Sequence, residues 1–140
     1  MLNENLNKMR NVLKHALVAG ILAGIVSAVY QMVYASNMHV DFSAIANPLM
    51  IVISTIIGTL IAGLGYWFLK KINWFGKQTD IAFSILFFLL SFISIYGTFG
   101  APLPEGTLQP ELFSGLVIPM HFFPMLVWLM VKPIFELNKA

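Results

Sequence analysis

A chain of 140 residues that is 59% hydrophobic and only 10% charged cannot build a water-soluble surface, because soluble domains carry about 25% charged residues. Its net charge of +2 comes from basic residues that flank apolar runs instead of forming a patch, which excludes nucleic acid as a partner. With no cysteine in the chain, disulfides, thiolate metal sites and cysteine nucleophiles are excluded as well.

The apolar residues fall in long runs, without the alternation of a strand or the single stripe of a soluble helix. Four runs reach the ~20 residues that a helix needs to cross ~30 Å of hydrocarbon. Backbone groups in lipid must be satisfied within the segment, so runs this long and uniform predict helices and not barrel strands. The expected fold is an all-α integral membrane four-helix bundle. It forms one domain over residues 1–140, with spans at about 16–35, 48–69, 80–98 and 113–131.

Residues 1–14 form a polar lead in which Leu2, Leu6, Met9 and Leu13 share one helical face, with Lys8, Arg10 and Lys14 elsewhere. Two readings stand: an interfacial amphipathic helix on an anionic leaflet, or a helical extension of the first span. Span one has a signal-peptide-like lead, and Val33-Tyr34-Ala35 resembles a cleavage site. Its length and its Tyr30, Gln31 and Tyr34 favour a retained helix. Ala16, Gly20, Gly24 and Ala28 recur at four-residue steps, a small-residue ridge that allows another helix to approach closely.

A polar loop with His39 and Asp41 leads to Pro48, which opens span two as a first-turn proline behind Asn47 as N-cap. Ser54, Gly58 and Ala62 form a second small ridge, with Thr55, Thr59 and Gly63 beside it, so spans one and two are expected to pack together. A basic turn, KKINWFGKQT, follows, and Thr79 or Asp80 is expected to cap span three. That span is rich in Phe and Leu, with Ser84, Ser91 and Ser94 as its interior polar points. The next loop holds Pro102, Pro104 and Pro110, each of which fixes φ. Lys132-Pro133 is expected to end span four.

Every Lys and Arg falls in the N-terminal lead, the middle turn or the C-terminal end, from Lys132 to Lys139, and the other two loops have none. With four spans these three segments share one side, so the positive-inside rule predicts that both termini are cytoplasmic. Asp41, Glu105 and Glu111 then lie outside. Trp67, Trp74 and Trp128 are placed near the inner interface as anchors, and Tyr30, Tyr34 and Tyr96 near the outer one.

His121 is the sharpest candidate site. It lies near the middle of span four, where ionisable residues are rare and usually face the bundle interior. Pro119 removes the helical partner of the Gly115 carbonyl, and Pro124 that of the Met120 carbonyl. A kinked helix with a hinge at Pro119 and Pro124, exposing carbonyls beside the imidazole, is expected. His121 is then either a ligand or proton site, or a neutral packing residue bonded to a nearby hydroxyl or carbonyl. Thr59 and Ser91 share its depth and are the candidate partners. By depth, Tyr30, Gln31, Tyr34, Ser54, Ser94, Tyr96 and Ser114 could line an outer cavity, or could point in different directions. Gly20, Gly24, Gly58 and Gly63 are the candidate helix-packing glycines.

His15, His39 and His121 fall at three different depths, so no pair can ligate haem axially. The spans hold no paired carboxylates, zinc motif, phosphate loop or Ser-His-Asp arrangement. No metal, no cofactor and no enzyme activity of the chain's own are therefore expected.

The glycine-rich AGILAG of span one, the ISTIIGTLIAGLGYW of span two and the Pro119-Met120-His121 tripeptide together resemble a family of uncharacterised bacterial membrane proteins of about this length. A looser similarity is to the small four-helix DoxX-like proteins. The resemblance implies four spans in a bacterial inner membrane and marks His121 as the position to test. The functional expectation is a multi-pass structural, interaction or lipid-binding protein, homo-oligomeric or joined to another membrane protein. The alternatives are a small transporter or channel component with His121 as its proton-sensitive element, and an accessory subunit of a membrane enzyme.

Overall fold

In the computed structural model of the chain, residues 2–99, 103, 107 and 109–137 are described. The expected features at Pro102, Pro104, Glu105 and Lys139 lie outside them. The described residues form four long helices: α1 (Leu2–Met38), α2 (Pro48–Ile72), α3 (Thr79–Phe99) and α4 (Phe113–Leu137). All four are long and apolar enough to cross a membrane.

The 37 residues of α1 run without a break, giving a helix about 55 Å long. That is nearly twice the hydrocarbon thickness of about 30 Å. The polar lead is thus a helical continuation of the first span, the second of its two readings. At the start of α2, Asn47 caps as expected: its side-chain oxygen accepts from the Leu49 N–H at 2.9 Å, and Pro48 occupies the first turn. Asn73 (φ 53°) ends α2 in the left-handed region, and Gly76 (φ 52°) turns the chain toward α3. Neither residue expected to cap α3 does so in the expected way. Thr79 donates its hydroxyl to the Gly76 carbonyl at 2.8 Å, and the Asp80 carboxylate is engaged by other helices. Pro133 does not end α4, which continues to Leu137. An end-of-span proline removes one hydrogen bond, and packing of the last turns outweighs the loss.

The α1 ridge packs on α2, as its spacing predicts. A methyl at Gly20 would lie 2.9 Å from the Ile56 Cα, and one at Gly24 would lie 3.0 Å from the Val52 Cα. Gly63 meets Ala16, whose Cβ would be 2.7 Å from an added methyl. Gly58 is the exception among the four packing glycines, since a methyl there would meet nothing within 4 Å. The packing row of α2 is Val52, Ile56, Thr59 and Gly63. Gly58 lies about 100° round the helix from Thr59, on a face that no helix covers.

α1 also packs against α4, and α4 against α3, so the helices follow the order α2, α1, α4, α3 around the bundle. The ring does not close. α2 and α3, although joined by a short turn, touch little and mainly at the end near that turn. There Tyr66 stacks edge-on against Phe83 at 5.0 Å and donates its hydroxyl to Asp80. Lys70 and Lys132 each approach the same carboxylate at 3.2 Å, so Asp80 ties α2, α3 and α4 together.

The largest core cluster lies just above this network and is centred on Trp128. Only 1% of its surface is exposed. It packs with Ala16, Ala19, Tyr66 and Phe83, and its indole lies 4.2 Å from the His15 ring. Its expected role as an interfacial anchor is therefore corrected. Depth along a helix does not fix rotation, and this position turns inward, where a large ring fills the space left by two alanines. A second cluster at the opposite end joins Val40 and Phe42 of the α1–α2 loop to Leu116 of α4.

Candidate functional site

The unclosed side of the ring is a groove of about 750 Å³ between α2 and α3. It follows α2 from Ile51 to Leu69, about 27 Å along the helix axis. Its floor is made by Ser27 of α1 and by Met120, His121 and Pro124 of α4. Ile61 and Phe68 of α2, with Leu86 and Leu90 of α3, line it and are also exposed on the bundle surface, so the groove opens sideways. It can form because the α2 face carrying Ser54, Gly58, Ala62 and Gly65 is small. These residues leave a trough where larger side chains would meet α3.

Three residues expected to act together, His121, Thr59 and Ser91, do line this one groove, but they are not bonded to each other. Thr59 donates to the Thr55 and Ile56 carbonyls, both at 3.0 Å, and Ser91 donates to the Phe87 carbonyl at 3.0 Å. The His121 ring instead turns back along its own helix, with Nδ1 2.9 Å from the Val117 carbonyl. A carbonyl only accepts, so Nδ1 carries the proton. In the neutral ring Nε2 is then an acceptor, and no protein group among the described residues bonds to it.

The carbonyl that the imidazole meets, that of Val117, is one that neither Pro119 nor Pro124 frees. α4 continues through Pro119 and Pro124. The Gly115 carbonyl, which loses its helical donor at Pro119, accepts the Tyr30 hydroxyl at 2.8 Å. Tyr34 donates to the Leu112 carbonyl at 2.7 Å. Its ring lies where a side chain at Gly115 would stand, so the missing Cβ of Gly115 is what admits it.

The expected outer cavity is therefore corrected. Tyr30 and Tyr34 are spent on the α1–α4 contact, and Tyr96 is 83% exposed on the bundle exterior. Gln31 is buried on α1 away from the groove, with its side-chain oxygen unpartnered. Ser114 is half-buried and does not line the groove. Only Ser54 and Ser94 of that set line the groove. The seven share a depth but not a direction.

Ser27 was not among the expected residues. It is 1% exposed, it lines the groove, and its hydroxyl has no hydrogen-bond partner. Its position signals this in retrospect. It follows Gly24 by three residues on α1, one turn beyond the contact of Gly24 with Val52, on the side of the helix that carries the small residues packed on α2.

Among the described residues, no group of three or more His, Cys, Asp or Glu side chains could hold a metal ion. Nor, among the described residues, does any Asp, Glu, Lys or Arg line the groove. What the site offers is a long apolar slot with uncharged hydrogen-bonding groups partway along it. No family model, curated protein or solved structure matches the chain.

Proposed function

We propose that this is a multi-pass protein of a bacterial inner membrane, with both termini cytoplasmic, that holds a lipid-like molecule in the groove between α2 and α3. The observation that carries the reading is the groove itself. Its volume of about 750 Å³ falls within the ~300–1,000 Å³ of small-molecule sites. Its walls are largely apolar, and its open side is flanked by exposed Ile, Leu and Phe side chains. A membrane-dwelling amphiphile matches such a slot better than a water-soluble ligand does. The orientation rests on the distribution of Lys and Arg, which fall only on the side of the termini and the α2–α3 turn. The bacterial assignment rests on the family resemblance alone.

Filling the groove tests the reading. Gly58 has open space where its Cβ would stand, so Gly58→Phe projects a ring into the slot without striking a neighbouring helix. Native mass spectrometry of the wild type, released from mild detergent, is expected to show a discrete bound lipid mass, and the variant to have lost it. Retention of the same mass by a folded Gly58→Phe variant would sink the proposal.

Transport is the second reading, favoured by the unpartnered Nε2 of His121 on the groove floor. It requires a pH-dependent flux in proteoliposomes that His121→Ala abolishes. Absence of flux at every pH, with folding intact, removes it. Assembly with a second copy or another membrane protein would have to use faces other than the α1 ridge, which is occupied by α2 within one chain.

A further inference from the structure

The hydroxyls along the groove are nearly all committed as donors. Ser54 and Thr55 each donate to the Ile51 carbonyl, at 3.1 and 2.7 Å. Ser91 donates to the Phe87 carbonyl at 3.0 Å, and Ser94 to the Leu90 carbonyl at 2.9 Å. A hydroxyl that has given its proton away keeps only lone pairs. These four side chains, with Thr59, whose hydroxyl is likewise committed to its own helix, present acceptors to the groove, and the Nε2 of His121 adds a sixth. Ser27 is the one groove hydroxyl with its proton still to give, because it has no partner.

The polar groups are also unevenly placed. Ser54, Thr55 and Ser94 lie toward the end of the groove remote from the α2–α3 turn, as does Ser27, one turn beyond the Gly24–Val52 contact, and Thr59, Ser91 and His121 lie nearer its middle. From Ile61 to Leu69 on α2, and from Phe83 to Leu90 on α3, the lining is wholly apolar or glycine. Among the described residues, no charged side chain lines any part of it. An ionised head group there would be buried without a counter-charge, which strongly disfavours it. Carboxylate and phosphate heads are also acceptors only, facing a wall of acceptors.

Resting on the lipid-binding reading above, we infer that the ligand is an uncharged single-chain lipid with a hydroxyl-bearing head. The hydroxyls of the head donate to His121 Nε2 and the serine and threonine oxygens, and one oxygen of the head accepts from Ser27. The tail runs toward the α2–α3 turn, along the apolar half of the slot. This orientation satisfies Ser27, whose buried, unmade hydrogen bond is otherwise a standing cost.

The test uses the full chain in mild detergent and three probes with the same oleoyl tail: 1-monooleoylglycerol, oleate and 1-oleoyl lysophosphatidylglycerol. Each is titrated and the bound fraction read by native mass spectrometry. Monooleoylglycerol is expected to bind one per chain, at least tenfold more tightly than either charged probe. Ser27→Ala and His121→Leu should each weaken it about tenfold, with unchanged helix content and thermal midpoint. Because Ser27 forms no bond within the protein, its variant has little structural reason to misfold. Equal binding of the three probes, or undiminished binding by a folded Ser27→Ala variant, overturns the hydroxyl-head assignment. If Gly58→Phe still abolishes that binding, the groove reading survives. Binding of all three probes that Gly58→Phe leaves untouched, or no binding of any, overturns both.

Discussion

The Tyr30 hydroxyl donates to the Gly115 carbonyl at 2.8 Å, and that oxygen is the one Pro119 deprives of its helical donor. A proline inside a membrane helix is tolerated when a neighbour re-satisfies the freed backbone group, and here the neighbour is a phenol on another helix. The arrangement gives Pro119 a packing role, since it makes a backbone oxygen available for an α1–α4 bond.

A double-mutant cycle isolates that role. Tyr30→Phe alone should destabilise the protein by about 1 kcal/mol in reversible unfolding from detergent. Pro119→Ala restores an N–H that can reach the Gly115 carbonyl, so in that background Tyr30→Phe should cost less than about half as much. Equal costs in the two backgrounds would show that the phenol and the proline are not coupled.

The glycines divide into two kinds with different sensitivities. Gly20→Leu and Gly24→Leu drive side chains into the α2 backbone and should lower stability by about 1–3 kcal/mol or more. Gly58→Leu meets open space and should change the thermal midpoint little. A cysteine-scanning or thermal-melt series in one detergent separates them, and a Gly58 variant as damaging as the Gly20 one contradicts the groove geometry.

Asp80 joins three helices through Tyr66, Lys70 and Lys132. Its side chain is 35% exposed, so solvent screening reduces what each pair contributes. Asp80→Ala should cost about 1–2 kcal/mol, and Asp80→Asn, which keeps an acceptor for Tyr66, somewhat less. In high salt the gap between wild type and Asp80→Asn should narrow, because the charge contribution is screened and the Tyr66 bond is not. A gap that salt leaves unchanged would show that the pairing of the carboxylate with Lys70 and Lys132 does not produce it.

In the α1–α2 loop, hydrogen bonding from the Ser43 side chain and then its backbone N–H holds the Asp41 carboxyl below its ordinary value. A depressed folded value means that the turn is favoured with the carboxylate ionised. That contribution is present above the unfolded value of about 3.9 and is lost as pH falls through the folded one. The Ser43 amide resonance should therefore titrate with a midpoint below that of Asp41 in an unfolded peptide, and Asp41→Asn should remove the titration.

What the sequence made legible was length and contact by small residues. Four long apolar helices, the Asn47-Pro48 start of α2 and the α1–α2 seam all follow from runs and spacings read along one dimension. Rotation about each helix axis is not encoded that way, which is why depth alone cannot tell an anchoring Trp128 from a core one, or a cavity-lining Tyr96 from an exposed one. Thr59, Ser91 and His121 were grouped by depth, and they do share a groove, but the expected bonds among them failed because helical Ser and Thr usually satisfy themselves on their own backbone. Ser27 escaped notice because an isolated serine beside glycines reads as one more small packing residue. Only its burial without a partner distinguishes it.

On the lipid-binding proposal, a slot that opens on its flank would take its occupant from the two-dimensional solvent around it. Occupancy then follows the mole fraction of the ligand among membrane lipids, not its aqueous concentration, and a weakly held lipid present at a few per cent of the bilayer can keep such a slot filled. Exchange requires no gate and no passage through water, only a neighbour sliding between α2 and α3 as another leaves.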